Sequence, residues 1–181
     1  MKALSIDNQT LAVEEIDITM AANTVYTFFS SILIDELAGL KEHVMYTDAN
    51  ALSEKKKPYF IGEQLLLGDV LILGRDGFDD VDAKIAKEEL HSLINPEVNA
   101  FYTEVLDMLA DTDINLYKTF TVEKNGEKIA LNTEWVLYTF NIADERTKEY
   151  FINELKKAVA AKNNIAEYMQ KMAQLAMNVA A

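Results

Sequence analysis

The chain has 181 residues and contains no cysteine and only two histidines, His43 and His91. Disulfides, iron–sulfur clusters and thiolate zinc sites all require cysteine, so the composition excludes them. Two histidines are also too few for a metal site built from histidine alone. We therefore predict no metal and no cofactor.

Basic residues are scarce as well. Lysine and arginine number 17 against 30 aspartates and glutamates, which gives a formal net charge of −13. A field of this sign repels nucleic-acid phosphates and anionic membrane surfaces. The densest basic run, residues 55–57, lies in a polar segment before Pro58, where solvation explains it. We expect no direct nucleic-acid binding and no membrane binding, and a charged partner should be a protein with a basic surface.

Long hydrophobic runs are missing too. The most apolar segment, residues 65–73, contains Gly68 and Asp69 and is too short to span a bilayer. The first residues lack the apolar stretch of a signal peptide. We therefore predict a cytoplasmic protein. Half of the residues are hydrophobic, which is enough for one sizeable core or two small ones.

The first half of the chain predicts a ββαββ unit. Residues 2–6 and 11–18 have the composition of two strands, joined by a turn at residues 7–9. Asn23 or Thr24 is expected to cap a helix that runs to about Leu37, with Gly39 as its stop. Further strands are predicted at residues 42–46, 59–61 and 65–73, and an exposed loop at residues 47–58.

An acidic turn is predicted at residues 75–80, in which Asp79 or Asp80 caps a helix over residues 81–94. Asn95 and Pro96 should end this helix, because the residue before a proline avoids helical geometry. Pro96 also suits the first turn of a second helix, over residues 97–110.

The second half begins with the clearest local signal. Residues 116–124 and 127–140 are predicted as a β-hairpin around Asn125 and Gly126, the preferred pair of a type I′ turn. Two helices follow, at residues 144–161 and 163–179. Because strands and helices occur in blocks, we predict an α+β fold rather than a doubly wound parallel sheet. The boundary is expected near Pro96, with a small α+β domain at residues 1–95 and an extension at residues 96–181.

The last predicted helix carries an apolar stripe. Its members recur at heptad a and d spacing: Ile165, Tyr168, Met172, Leu175 and Val179. One interpretation is an antiparallel helix pair packed on the hairpin. The other is a homodimer interface formed by the C-terminal helices, favoured by adaptable methionines.

The stretch GEQLLLGDVLILG at residues 62–74 is the most distinctive in the chain. Together with the preceding ββαβ pattern and the acidic turn after it, it resembles a domain of unknown function, family 3846, of bacteriophages and conjugative elements. The resemblance covers residues 1–94 and implies a mobile-element accessory protein without established chemistry. The lysine-rich loop before the stretch departs from the family pattern. The glycines also have a structural explanation, since strands begin, bend or end there. Their spacing differs from that of phosphate-binding loops.

Acidic residues concentrate in residues 76–113. This segment holds eleven of them against Lys84 and Lys87, a balance of −9. Carboxylates three or four positions apart on a helix share a face, and such a face could contact a basic partner or imitate DNA phosphates. The alternative is a solvated helix surface. The candidate acidic contact residues are Asp79, Asp80, Asp82, Glu88, Glu89, Glu97, Glu104, Asp107, Asp111 and Asp113.

Motifs for catalysis are missing from the sequence. No nucleophile elbow occurs, and residues 76–82 do not match the spacing of an EF-hand calcium loop. We therefore predict a non-enzymatic phage or mobile-element accessory protein that binds another protein through an acidic face. One alternative is a DNA mimic directed against host restriction or defence. Others are an enzyme that handles a small molecule or nucleotide without a recognisable motif, and a structural, oligomeric phage component.

Overall fold

A computed structural model describes residues 1–19, 24–31 and 33–180. The chain divides into two compact units, an N-terminal unit at Met1–Val98 and a C-terminal unit at Asn99–Ala181. The predicted boundary between residues 95 and 96 lies close to this division. Helices and antiparallel strands occur in blocks, and the predicted α+β class is confirmed.

The described part of the N-terminal unit contains nine strands and two helices. In chain order these are β1 Lys2–Ile6, β2 Val13–Asp17, α1 Thr24–Phe29, β3 Ile34–Leu37, β4 His43–Asp48, β5 Pro58–Ile61, β6 Gln64–Leu67, β7 Val70–Asp76, β8 Asp79–Val81, α2 Lys87–Leu93 and β9 Ile94–Asn95.

The main sheet of this unit is antiparallel and has the strand order β2-β1-β7-β4-β3, with β8 paired to the end of β7. The central strand β7 is buried on both faces, and Val70 to Leu73 are at most 1% exposed. Side chains alternate along a strand, so Leu71 and Leu73 share one face, which also carries Ala3 and Val44. The helix α1 packs Val25, Phe28 and Phe29 against this face.

A second sheet has the order β6-β5-β9, and its strand β6 contacts the opposite face of the main sheet. Met45 and Ile72, which pair across β4 and β7, are fully buried on this side. Thr47 extends the same row, and its hydroxyl donates to the carbonyl of Leu67 in β6 at 2.9 Å. Buried side chains therefore lie on both faces of the main sheet, as a core cluster against α1 and as the row that contacts β6.

The helix predicted from residue 23 or 24 to Leu37 is too long. It ends at Phe29, Ser30 has a left-handed φ of 52°, and residues 34–37 form β3. Pairing with β4 gives these residues backbone partners that a helix would have supplied locally. The predicted cap Asn23 lies outside the described residues.

Gly39 does not end a helix, although it was predicted as a helix stop. A Cβ added there would lie 2.7 Å from the Met45 Cε and even closer to the side-chain oxygen of Gln64. A side chain at this position would therefore require the ends of the Gln64 and Met45 side chains to move.

The strand predicted over residues 65–73 is two strands, β6 and β7. Gly68 has a φ of +77°, a conformation that favours glycine, and turns the chain between them. The Asp69 carboxylate then accepts a hydrogen bond from the Asn8 backbone at 2.7 Å. Asn8, which is 7% exposed, also exchanges two hydrogen bonds with the backbone of Lys57.

The helix predicted over residues 81–94 is also wrong in its first half. Asp79 and Asp80 belong to β8, which pairs with the end of β7, and the helix α2 covers only Lys87–Leu93. Gly77, with a φ of +61°, is the first central residue of a two-residue turn and allows the chain to fold back as a hairpin. Neither aspartate caps a helix, and Ala86 occupies the N-cap of α2.

The described part of the C-terminal unit contains one hairpin and four helices. They are α3 Ala100–Ala110, β10 Thr119–Lys124, β11 Glu127–Asn132, α4 Thr133–Asn141, α5 Glu145–Ala160 and α6 Ile165–Val179.

The hairpin turn confirms the type I′ prediction, since Asn125 and Gly126 have φ values of 54° and 82°. The second strand, however, was predicted to continue to residue 140. It ends at Asn132, whose side chain accepts a hydrogen bond from the Trp135 backbone at 2.8 Å and caps α4. Apolar residues at helical spacing then bury the inner face of α4: Val136, Leu137 and Phe140.

The helix α3 begins later than predicted, at Ala100, with Asn99 as its N-cap in place of a start near Pro96. The two C-terminal helices are confirmed as α5 and α6, capped by Asp144 and Asn164. The ring of Phe151 in α5 stacks on that of Phe140 in α4, with centroids 4.4 Å apart.

The helix α6 packs on α4, α5 and β10 within its own unit. Two of its glutamines also cover the outer edge of β10. Gln170 donates to the carbonyl of Thr121 at 2.5 Å and Gln174 to that of Glu123 at 3.3 Å. Four helical residues and two strand residues both advance the chain by about 6–7 Å, so the two repeats match. Of the predicted stripe, Ile165 and Met172 are buried, while Tyr168, Leu175 and Val179 are partly exposed.

Candidate functional site

The ten predicted acidic residues divide between the two units. Six lie in the N-terminal unit and four in the C-terminal unit: Asp79, Asp80, Asp82, Glu88, Glu89 and Glu97 in the first, and Glu104, Asp107, Asp111 and Asp113 in the second. The acidic region of the sequence therefore forms a separate set in each unit.

Some of these carboxylates have specific partners inside their own unit. Asp80 accepts a hydrogen bond from the Tyr46 hydroxyl at 2.8 Å and lies 3.4 Å from the Arg75 guanidinium. Asp82 accepts a hydrogen bond from the Lys2 backbone at 2.9 Å. Glu104 forms an ion pair with Lys156 at 2.6 Å. These interactions join segments that are distant in sequence, so these carboxylates also stabilise the folded structure.

Other predicted carboxylates are exposed and form no ion pair with another described residue. We call the four in the N-terminal unit the free carboxylates: Asp79, Glu88, Glu89 and Glu97. Glu88 and Glu89 lie in the first turn of α2, where a negative charge interacts favourably with the helix dipole. In the C-terminal unit, Asp107 and Asp113 are likewise exposed and form no ion pair with another described residue. Their charge is fully available to a partner.

The hairpin between β7 and β8 carries a feature that the sequence reasoning missed. At its tip, residues 76–79, Asp76 and Asp79 pair across the hairpin with exposed side chains, and Gly77 and Phe78 form the turn between them. The Phe78 side chain is 98% exposed. The turn residue Gly77 was the available signal, but an aromatic residue is normally expected in a core rather than at a turn.

Arg75 connects this tip to the main sheet. Its Nη1 donates to the Phe78 carbonyl at 3.2 Å, and its Nη2 donates to Glu36 Oε1 at 2.5 Å and to the Tyr46 hydroxyl at 3.3 Å. The strand register explains the cluster. Arg75 is paired with Asp80, Glu36 is paired with Tyr46, and period-two alternation places all four side chains on the face of Leu71 and Leu73.

Tyr46 is a neutral hydrogen-bond donor in this cluster. Burial raises the pKa of its hydroxyl well above the ordinary value near 10, and the hydrogen bond to Asp80 raises the pKa further. Its proton therefore stays on the hydroxyl at neutral pH. The second oxygen of Asp80, Oδ1, is buried without a hydrogen bond, because its approach to Arg75 lacks hydrogen-bond geometry.

A cleft of about 420 Å³ lies beside this cluster in the N-terminal unit. The six-residue helix α1 forms part of its wall. The walls are largely apolar, with one polar end formed by Tyr46, Glu36 and Asp80. The described lining residues are Met1, Ile18, Thr19, Thr24, Val25, Tyr26, Ile34, Glu36, Tyr46, Leu73 and Asp80. Apolar walls with a few convergent polar groups are typical of small-molecule sites.

The two histidines of the chain have different surroundings. Both ring nitrogens of His43 are engaged: Nδ1 lies 2.7 Å from the Lys41 carbonyl, and Nε2 accepts from the backbones of Lys84 and Ile85 at 3.0 Å each. This pattern identifies the tautomer with the proton on Nδ1. His91 is exposed on α2. In the described part of the chain, no group of three or more potential ligands is arranged to hold a metal ion.

Comparisons with known proteins return nothing: no protein-family model, curated protein or solved structure matches the chain. The resemblance to family 3846 therefore stays a prediction. None of the helices in residues 1–19, 24–31 and 33–180 combines the length and hydropathy of a membrane span.

Proposed function

We propose that this protein is a non-enzymatic protein-binding module whose N-terminal unit docks on a basic surface of its partner. The observation that supports this proposal is the set of free carboxylates, which are exposed and without ion pairs in the described chain. An unpaired surface carboxylate contributes little to folding, but it interacts with a cationic partner at no cost of breaking an internal ion pair.

Electrostatics favour such a partner over any other macromolecule. The net charge of −13 repels nucleic acids and attracts basic proteins at a distance, which accelerates their association at low salt. The DNA-mimic hypothesis concerns the acidic segment of residues 79–113 as a whole, of which the N-terminal unit contains the part up to residue 97. That hypothesis, the phage or mobile-element origin and the homodimer remain predictions.

The proposal is tested with a charge-neutralised variant, Asp79→Asn with Glu88→Gln, Glu89→Gln and Glu97→Gln. The wild-type chain is immobilised and exposed to lysate of the source cells at low salt, and the proteins that it retains and the bare matrix does not are identified. The proteins are then purified, and their dissociation constants are measured by calorimetry. We expect weaker binding as salt rises from about 50 to 500 mM, because screening shortens the range of charge interactions.

A matched control removes the same number of charges elsewhere. Glu63, Glu123, Glu127 and Glu149 are exposed and form no ion pair with another described residue, so their replacement by glutamine changes the net charge equally. The control should bind as the wild type does. Equal loss in both variants would show a nonspecific effect of net charge, and unchanged binding in the first variant would refute the proposal.

A second candidate function is small-molecule binding in the cleft. The observation that favours it is the combination of an apolar volume of about 420 Å³ with the Tyr46 hydroxyl and two carboxylates at one end. Net negative charge at this end suits a small organic cation.

Its test uses three probes of similar shape: benzylamine, benzyl alcohol and toluene. Their binding is monitored through the amide chemical shifts of the protein in NMR. Saturable shifts around the cleft with benzylamine, lost in Glu36→Gln, would support this function. The control Tyr46→Phe keeps the aromatic ring and removes only the hydroxyl, so it should still bind toluene. The absence of saturable shifts with every probe would refute it.

A further inference from the structure

We infer that Phe78 is an anchor that inserts into an apolar pocket of a protein partner, and that this pocket is rimmed by lysine or arginine. This inference deepens the proposed function and depends on it. It adds an aromatic contact of defined position to an interaction that the free carboxylates alone would leave diffuse.

The first step is the exposure of the side chain. Phe78 is 98% exposed, so its ring has almost no contact with the rest of the protein. Burying a phenylalanine side chain at an interface stabilises a complex, and aromatic residues are enriched among the residues that dominate binding energy. Other exposed large hydrophobic residues, such as Tyr150 at 50%, keep much of their surface covered.

The second step is the geometry of the tip, which a defined turn and hydrogen bonds determine. Gly77 has a φ of +61°, whereas Phe78 has no positive φ, which matches the type II′ hairpin turn. Arg75 holds the Phe78 carbonyl at 3.2 Å and is itself fixed by Glu36. At the base of the hairpin, Gly74 approaches the Asp82 carbonyl so closely that no Cβ would fit. A backbone held in one conformation loses little entropy on binding.

The third step is the charge beside the ring. Asp76 and Asp79 pair across the hairpin next to the turn that contains Phe78, and both are exposed and form no ion pair with another described residue. Two carboxylates next to an inserted ring would repel an acidic rim and attract a basic one. They also oppose insertion of the ring into a lipid bilayer, where carboxylates are costly to desolvate. A protein pocket with a cationic rim satisfies both the ring and the charges.

The chemistry of the tip is tested first with a defined host. Per-amino-β-cyclodextrin has an apolar cavity and a rim of ammonium groups, and neutral β-cyclodextrin has the same cavity without the charges. Binding is followed by amide chemical shifts of the full chain. We expect the shifts to lie at residues 76–79, and Phe78→Ala to weaken binding at least ~10-fold, the effect of removing an aromatic anchor.

Two further variants separate the ring from the charges. Asp76→Asn with Asp79→Asn should remove the preference for the cationic host while retaining binding of the neutral one. Tyr150→Ala, at another exposed ring, should change neither. Shifts away from the tip, or equal binding by Phe78→Ala and the wild type, would overturn the inference.

The partner itself is tested by replacing Phe78 with the photo-crosslinking residue p-benzoylphenylalanine in the full chain, with the same replacement at Tyr150 as control. We expect a crosslink from position 78 to apolar residues next to lysine or arginine in a purified partner. A membrane is the alternative target of Phe78. If the wild type co-sediments with phosphatidylcholine vesicles and Phe78→Ala does not, the inference is overturned in favour of a membrane. If Phe78→Ala binds the partner normally while the charge-neutralised variant does not, the anchor fails and the proposed function stands.

Discussion

Replacement of Arg75 by methionine should destabilise the N-terminal unit, because this one side chain joins three strands and the hairpin tip. Arg75 and Asp80 are each 22% exposed, whereas Glu36 is 58% exposed. Breaking a fully buried ion pair costs about 3–5 kcal/mol, and an exposed pair contributes at most about 1 kcal/mol. The intermediate exposure here, together with the lost hydrogen bond to Phe78, leads us to expect a loss of about 2–3 kcal/mol.

Urea unfolding followed by circular dichroism measures this free energy directly. Arg146→Met serves as the control, since Arg146 is exposed on α5 and forms no ion pair with another described residue. A double-mutant cycle with Glu36→Gln should show coupling, because the two side chains are 2.5 Å apart. A loss below about 0.5 kcal/mol, the range of ordinary surface substitutions, would refute the reasoning.

Three further predictions concern single contacts and pH. Asn132→Ala removes the N-cap of α4 and should cost about 1 kcal/mol in urea unfolding; no change would contradict the cap. His43→Ala leaves two backbone N–H groups without their acceptor and should cost about 1–2 kcal/mol, whereas exposed His91→Ala should not. Burial raises the pKa of four tyrosines, so their protonated form is favoured by folding, and the stability they contribute is present below about pH 10 and lost as the pH rises further. The four are Tyr46, Tyr59, Tyr102 and Tyr168, and the pKa of Tyr102 is raised to about 12. In an alkaline absorbance titration they should ionise at higher pH than the exposed tyrosines. Ionisation of all tyrosines together before unfolding would contradict the burial of these four.

The sequence predicted those elements whose signals are local. Asn125 and Gly126 determine the turn by their own backbone preferences, and α5 and α6 are long and have capping residues. Short apolar segments were predicted wrongly in both directions. Residues 34–37 became a strand and residues 133–141 a helix, because pairing with β4 and the cap at Asn132 decide between conformations that the local pattern leaves open.

The candidate site was predictable only as a concentration of charge. The sequence identifies the acidic segment, but it does not show which carboxylates have internal partners. Asp80 meets Arg75 only through the register of β7 and β8, and Glu104 meets Lys156 only through packing of α3 on α5. The exposure of Phe78 was equally hidden, since composition favours burying a phenylalanine and only the hairpin turn at Gly77 places it outside.

The most direct measurement is the salt dependence of partner affinity for the wild type and for the chain that lacks the four free carboxylates. Our account predicts a steep loss of affinity with ionic strength in the wild type, and a weaker affinity with a shallower salt dependence in the variant. Equal affinity for the partner, with the same salt dependence in the wild type and the variant, would contradict it.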